Sequence, residues 1–532
     1  MATLVETRPA SSNRLVGLDA LRGLAILFMA LAGNMPGELP NWMYHGYDAK
    51  WVTDASGAWV SASGFQARWG SYTFVDWVFP GFLFAMGAAI PVALAGRLEK
   101  GEARWRIALS IIWRTLGLLF FAIYVRQIAP YEWVVKGQSA IWYHHLLAIL
   151  AFFVPFGLYL RLPRNFSKRQ TIAIRLGGFA ACVGMIVLAT WMGGREIGVN
   201  RFDIIIALLA HTYCICALAM LFLRRSWIWL PVLLAIGLIG HHESINAQKF
   251  GDWRFLGGGF STWMPALQSP DKWLAWLKLD PLWDFTWYQY LFVVAPGMWA
   301  GQVLTRRPST TTSLPATSTQ VAVGVAIAAL LVCSAVFVGL RNYGVPTVGG
   351  WQIMVTPWPV VVIGVPSLVL FFLALKKLRD DTLWRLAVAM VGVLLLGVGL
   401  SVLRVDDQFF QGGIKKGPPA TLSYYLVSVG ISGVLLVGMT AWADRAKLAG
   451  LGIISLVGQN ALMAYIGIRN LIGPILTIAI LTPVYKEGSI NQFMRLEIFT
   501  TPWHRFMWAM ICVAVFACFI AICSKRKWVW KV

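Results

Sequence analysis

VAVGVAIAALLVCSAVFVGL, Val321–Leu340, decides the fold: it is a run of twenty residues without a single charge. A helix needs about 20 predominantly apolar residues to cross the hydrocarbon core of a bilayer. Inside that core every backbone N–H and C=O must be satisfied by protein, which leaves helices or closed barrels. Barrel strands alternate apolar and polar residues, and this run does not alternate. It is one of many. Working outward, comparable stretches lie near 15–35, 73–96, 107–127, 140–160, 176–193, 203–223, 226–240, 287–304, 357–375, 383–403, 421–443, 450–481 and 504–523. The expected fold is an all-α polytopic transmembrane bundle of roughly 11 to 14 spans. Composition agrees: 58% of the 532 residues are hydrophobic and only 13% are charged, whereas ordinary globular chains carry about a quarter charged residues.

The net charge of +22 invites a nucleic-acid reading, which its distribution excludes. Lys and Arg gather in alternate connections: Arg97, Lys100, Arg104 and Arg106; Arg224 and Arg225; Lys376, Lys377 and Arg379; Lys525, Arg526 and Lys527. That alternation is the positive-inside pattern of a membrane protein. It predicts both termini in the cytoplasm and outer loops at 36–72, 241–286, 405–420 and 482–503. The expected division is a short cytoplasmic segment (1–14), one transmembrane unit (15–524) and a basic cytoplasmic tail (525–532). The first fourteen residues are polar and precede no small-residue cleavage pattern, so no cleavable signal is expected. Membrane lipids are the expected partners, a second copy of the chain is allowed, and nucleic acid is not expected. None of the seven cysteines falls in a long outer loop, so no disulfide framework is suggested.

With no soluble domain, any chemistry has to be built from helix ends and loops. Asp19 and Arg22 are three residues apart on the first span and share a helix face. The plain reading is an interfacial ion pair; the sharper one is that Arg22 binds a cytoplasmic anion such as a nucleotide phosphate. The same helix runs on to Asn34, about 18 Å further at about 1.5 Å per residue, close to the reach of a phosphopantetheine arm. His45 follows after Pro36, Gly37 and Pro40, which break the helix and let the chain fold back. A neutral imidazole there is fit to act as a base. Asp76 opens the next span on the same side. It is either a helix N-terminal acid favoured by the dipole or the group that orients His45.

Together, Leu18-Asp19-Ala20-Leu21-Arg22-Gly23, Asn34, His45 and Asp76-Trp77-Val78-Phe79-Pro80 with Phe82-Leu83-Phe84 and Gly87 resemble the heparan-α-glucosaminide N-acetyltransferase family, above all its bacterial relatives. Weaker likenesses follow at Ala295–Gly301, Lys415–Tyr425 and Gly458-Gln459-Asn460-Ala461-Leu462. The resemblance implies a transmembrane acyltransferase. Cytoplasmic acetyl-CoA would be the donor and no metal is expected. The acceptor would be an amine or hydroxyl of an extracytoplasmic sugar, and the setting a bacterial inner membrane with the active-site loop facing the periplasm or exterior. It also implies that Asn34 and His45 form the site and that Arg114 is a second phosphate ligand, buried in an inner half-span. The chain departs from the family in its first outer loop. The family His often lies just before the Asp-Val-Phe-Pro-type block, a place held here by Gln66, so the longer loop leaves the acceptor open. A different class also accounts for many spans with intramembrane charges: a transporter or flippase of a small molecule or lipid-linked sugar. A third, a metal-dependent hydrolase on His241, His242 and Glu243, lacks a spaced ligand pattern.

Overall fold

The computed structural model describes residues 15–35, 72–136, 140–163, 165–195, 201–249, 284–305, 318–340, 360–403, 420–448, 450–475 and 501–530, with short pieces of the connections between them. The described chain is a helical bundle. Its helices are α1 (Val16–Ala32), α2 (Phe74–Glu99), α3 (Arg104–Gln127), α4 (Trp142–Phe153), α5 (Pro155–Tyr159), α6 (Lys168–Met192), α7 (Ile204–Leu223) and α8 (Ser226–Lys249). They continue as α9 (Leu291–Thr305), α10 (Ser318–Gly339), α11 (Val365–Leu378), α12 (Asp381–Val402), α13 (Leu422–Thr440), α14 (Gly452–Gln459), α15 (Ala461–Gly467) and α16 (Pro502–Lys525). Among the described residues eleven helical stretches are long and apolar enough to cross a membrane. The protein is an integral membrane protein. Two antiparallel hairpins, Trp51–Thr53 with Trp59–Ser61 and Asn342–Thr347 with Gly350–Val355, lie in connections between helices.

Burial separates centre from periphery. The most apolar windows of α2 and α13 are each 78% buried, against 17% for α6. Lipid is as apolar as leucine, so the hydrophobic effect does not drive helices together there; close packing and interhelical hydrogen bonds do. α13 shows this. Its Ser428 meets the Tyr72 hydroxyl at 2.8 Å, its Ser432 accepts from Trp77 Nε1 at 2.9 Å, and its Tyr424 hydroxyl donates to the Asp76 carbonyl at 3.2 Å. These bonds lock α13 against the start of α2.

Glycines let two pairs of backbones touch. A Cβ at Gly23 of α1 would fall 1.9 Å from the Ile454 carbonyl oxygen of α14, and one at Gly458 of α14 would fall 1.9 Å from that of Asp19. Across α2 and α9, a Cβ at Gly87, Gly297 or Gly301 would fall 2.3, 2.4 or 2.0 Å from the carbonyl oxygens of Val294, Phe84 and Ala88. Gly458→Ala is therefore expected to lower the melting temperature in detergent by the equivalent of about 1–3 kcal/mol of overpacking. Gly392→Ala, where nothing lies within 4 Å of the new methyl, serves as the comparison. Equal melting of the two variants would contradict the crossing.

α1 begins without a side-chain cap of its own at Leu15. Asp444, from the turn after α13, supplies one: its carboxylate accepts from Val16 N at 2.7 Å and Gly17 N at 2.9 Å. A carboxylate at a helix N-terminus also meets the positive end of the macrodipole.

Three expectations need correction. The run at 450–481 is not one helix. It breaks at Asn460 (φ −118°, ψ 44°) between α14 and α15, where the Asn460 side chain bonds the Trp528 carbonyl and the Trp530 amide. The loop expected from residue 241 starts later, since α8 carries His241, His242 and Glu243 and runs to Lys249; Glu243 is buried. Arg114 is exposed rather than enclosed by protein.

Candidate functional site

α1 and α2 pack side by side in opposite directions, so the start of α1 faces the end of α2 and the reverse. The Phe28 and Phe74 rings, 5.5 Å apart edge to face, fix the far end of the pair. Asn34 follows the last turn of α1 there, and Asp76 sits in the first turn of α2. The exposed Asn34 amide donates to the Ala30 carbonyl at 2.7 Å. An amide nitrogen carries two hydrogens, so one stays available to a ligand.

Asp76 is fully buried. Its Oδ2 accepts from Thr73 N at 3.0 Å and lies 3.1 Å from the Thr73 hydroxyl, while Oδ1 faces Lys416 Nζ at 3.9 Å. The Thr73 hydroxyl also lies 2.7 Å from the Tyr44 carbonyl oxygen. Its single proton serves one acceptor at a time. Tyr44 is tied down a second way, its hydroxyl accepting from Leu39 N at 2.9 Å. His45, the next residue, lies outside the described residues. Among the described residues Asp76 therefore reaches the loop of His45 through Thr73 and the backbone of Tyr44.

At the other end of α1 and α2, Arg22 and Arg114 line one cavity of about 330 Å³. That volume falls within the range of ligand pockets, about 300–1,000 Å³. Arg22 lies 3.6 Å from Asp19 and donates to the Gly458 carbonyl at 3.3 Å. Arg114 lies over the Tyr213 ring, 4.9 Å from its centroid. A second cavity of about 410 Å³ shares Ala93, Arg114 and Tyr213 with the first and reaches Arg97 and Ser110. Arg97 holds Glu102 with two of its three nitrogens, Nε at 2.8 Å from Oε2 and Nη2 at 2.5 Å from Oε1. That pairing keeps the Glu102 carboxyl below its usual range. The guanidinium groups of Arg22, Arg97 and Arg114 and apolar residues of α2 such as Phe82, Met86 and Ile90 line the two cavities, a combination that suits a polyanion with a less polar arm.

Sequence reasoning selected Arg22, Arg114, Asp19, His45, Asn34 and Asp76. The structure brings the first two to one cavity, Asp19 to Arg22, and the last two to the opposite end of the same helix pair. It missed Lys416 as the partner of Asp76, although a lysine in a loop on the side opposite the basic connections breaks the charge pattern and is a signal. It also missed Thr73, whose hydroxyl joins Asp76 to the Tyr44 backbone, and the C-terminal residues Val529 and Trp530, which line the cavity.

A family model described as a domain of unknown function (DUF5009) matches residues 14–304, which hold α1 to α9 and most of the side chains just described. The chain belongs to the DUF5009 family. This DUF5009 protein is also similar, over a shorter stretch, to two curated proteins, both named heparan-alpha-glucosaminide N-acetyltransferase. The one from Mus musculus is 26% identical over 132 residues, covering 24% of this chain and 17% of that protein. The one from Homo sapiens is 25% identical over 124 residues, covering 23% and 15%. The match spans less than a fifth of the length of either relative. A distant relation to that family therefore stands beside the DUF5009 assignment.

Proposed function

We propose that this protein is a transmembrane acyltransferase that takes an acetyl or other acyl group from cytoplasmic acyl-CoA and passes it to an amine or hydroxyl of a sugar beyond the membrane. The observation that carries the reading is the convergence of Arg22 and Arg114 on one cavity, with Asn34 and Asp76 at the far end of the α1–α2 pair that lines it. The names of the two curated relatives supply the reaction class. The alternation of basic connections supports a cytoplasmic side for the cavity.

In this reading the phosphates of the donor rest on Arg22 and Arg114 and the arm runs along α1 toward Asn34. The acceptor nitrogen or oxygen attacks the thioester carbonyl. The free N–H of Asn34 donates to the carbonyl oxygen as negative charge develops on it. His45 takes the acceptor proton. The C–S bond breaks, the new C–N or C–O bond remains, and the proton passes from His45 to the departing thiolate. Asp76 and Thr73 position the His45 loop.

Isothermal calorimetry on the purified full chain tests the donor. Wild type is expected to bind acetyl-CoA, and Arg22→Ala and Arg114→Ala to bind it roughly 10- to 100-fold more weakly, the loss of one charge-assisted contact each. Arg114 is the cleaner position, because Arg22 also holds Gly458. Absence of binding by wild type to any short-chain acyl-CoA would sink the transferase reading in favour of transport.

A further inference from the structure

Three arginines that the reaction above does not use meet at the end of α3. That helix carries Arg114 at the donor cavity and Arg126 twelve residues on, about 18 Å away at about 1.5 Å per residue. There the 3-10 turn Pro130–Trp133 places Glu132, which is 1% exposed. Arg195, just past the end of α6, and Arg201, just before α7, both donate to Glu132 Oε2, and Arg126 Nη1 stands 3.4 Å from Oε1. The backbone sets this arrangement without the guanidiniums. The buried Gln127 amide donates to the Gly198 and Arg201 carbonyls at 3.0 and 3.1 Å, and Asp203 N donates to the Ala122 carbonyl at 2.9 Å. A Cβ at Gly193 would fall 2.2 Å from the Glu132 carbonyl oxygen, so the end of α6 lies directly against the turn. The Asp203 carboxylate is committed to capping α7 at Ile206 N and to the Tyr465 hydroxyl.

The cluster holds more positive charge than one buried carboxylate calls for. A guanidinium has five N–H donors and a carboxylate about four acceptor sites, and among the described residues these three arginines share Glu132. Burial separates the signs. Glu132 lies beneath, while the side chains of Arg126, Arg195 and Arg201 are 39%, 30% and 22% exposed, so the accessible part of the cluster belongs to the arginines. The exposed Tyr131 stands beside them, its ring 5.2 Å from the Arg126 guanidinium and its carbonyl accepting from Arg195 at 3.2 Å. Burial holds the Arg201 guanidinium below its ordinary range; Glu132 opposes this, and the Arg195 and Arg126 charges add to it. The alternation of basic connections supports the outer side for this end of the bundle, where lysine and arginine are ordinarily scarce.

We propose that Arg126, Arg195 and Arg201 form an oxyanion-binding site at the end of α3 opposite the donor cavity, which takes a phosphate or carboxylate group carried by a sugar or by a lipid headgroup. The planar guanidinium fork matches such groups in bidentate geometry. An anion there offsets the mutual repulsion of three cations, which Glu132 offsets only in part. The site stands on its own geometry and does not depend on the acyl-CoA reading.

Thermal melting of the full chain in detergent tests it, at constant ionic strength, with glucose 6-phosphate and with glucose as the neutral counterpart, on wild type, Arg126→Gln and Arg126→Lys. Arg126 is the position to change, because Arg195 and Arg201 hold Glu132 without it. Wild type is expected to be stabilised by glucose 6-phosphate and not by glucose. Arg126→Gln is expected to bind the phosphate about tenfold more weakly, the loss of one charge-assisted contact. Arg126→Lys, which keeps the charge and gives up the fork, should fall between. A wild type that responds alike to both sugars overturns the site. So does an Arg126→Gln that binds as wild type does, since the anion then sits elsewhere. If Arg126→Gln also melts lower without ligand, Arg126→Lys decides: recovered binding upholds the assignment and unrecovered binding overturns it. Nanodiscs containing phosphatidylglycerol name the occupant. Binding retained there assigns a sugar anion, and binding lost there assigns the lipid headgroup. Acetyl-CoA enters none of these readouts, so failure of this site leaves the transferase reading as it was.

Discussion

His45→Ala and Asn34→Ala, inserted in the membrane at wild-type level, are expected to lose acyl transfer by factors of about 10²–10⁴ and about 10²–10³, respectively. The first figure is the usual contribution of a positioned general base; the second is that of one donor to a developing oxyanion. The two should differ in character. Asn34 contributes one N–H while its other stays on the Ala30 carbonyl, so Asn34→Asp, which offers no hydrogen, should be as slow as the alanine variant. Acetyl-CoA affinity should hold in all of these, because the guanidinium cavity lies at the other end of α1. Single-turnover transfer to an amino-sugar acceptor, measured beside acetyl-CoA binding, separates the steps. Transfer at the wild-type rate by either alanine variant would dismiss the assigned role of that residue.

The second large effect falls on stability as well as rate. Asp76 is fully buried, with the Thr73 amide on one oxygen and Lys416 3.9 Å from the other. Removing one member of a buried pair costs about 3–5 kcal/mol, and since Lys416 retains 26% exposure a figure nearer the lower bound is expected for Asp76→Ala. Asp76→Asn keeps an oxygen for the Thr73 amide but drops the charge, and should recover part of the melting temperature. The rate then decides what the carboxylate does. If Asp76→Asn restores both stability and turnover, the residue only caps α2. If stability returns and turnover stays low, the charge positions the His45 loop through Thr73 and Tyr44. Wild-type melting of Asp76→Ala would contradict the burial argument outright.

The helices were legible because lipid demands long uncharged runs, and among the described residues the apolar stretches are helical, with the break at Asn460 inside 450–481. What escaped were places where side chains override the run. Nothing in the apolar stretch 450–481 announces that Asn460 gives its amide to residues 528 and 530, since a bond across such a distance in sequence leaves no periodicity. His241 and Glu243 looked like loop residues because they are polar, yet α8 carries them on for another turn and more. Within the candidate site the charged residues were readable from spacing: Asp19 with Arg22 by helical register, Asp76 by its place at a helix start. The neutral contributors were not. Thr73 bonds through a hydroxyl that thousands of structural threonines also possess, and Trp530 lines the cavity as any packed tryptophan could. Only three-dimensional neighbours distinguish them.

The glycine crossings between α1 and α14 and between α2 and α9 bear on how a group can traverse a bilayer at all. Carbonyl oxygens sit where a methyl would be at both contacts, so each pair packs backbone against backbone. Opening a seam through either crossing would give up that close packing, which is what holds helices together in lipid. On the proposed acyltransferase reading, passage beside these crossings is a matter of reach, the donor arm extending along α1 while the closely packed backbones stay in contact.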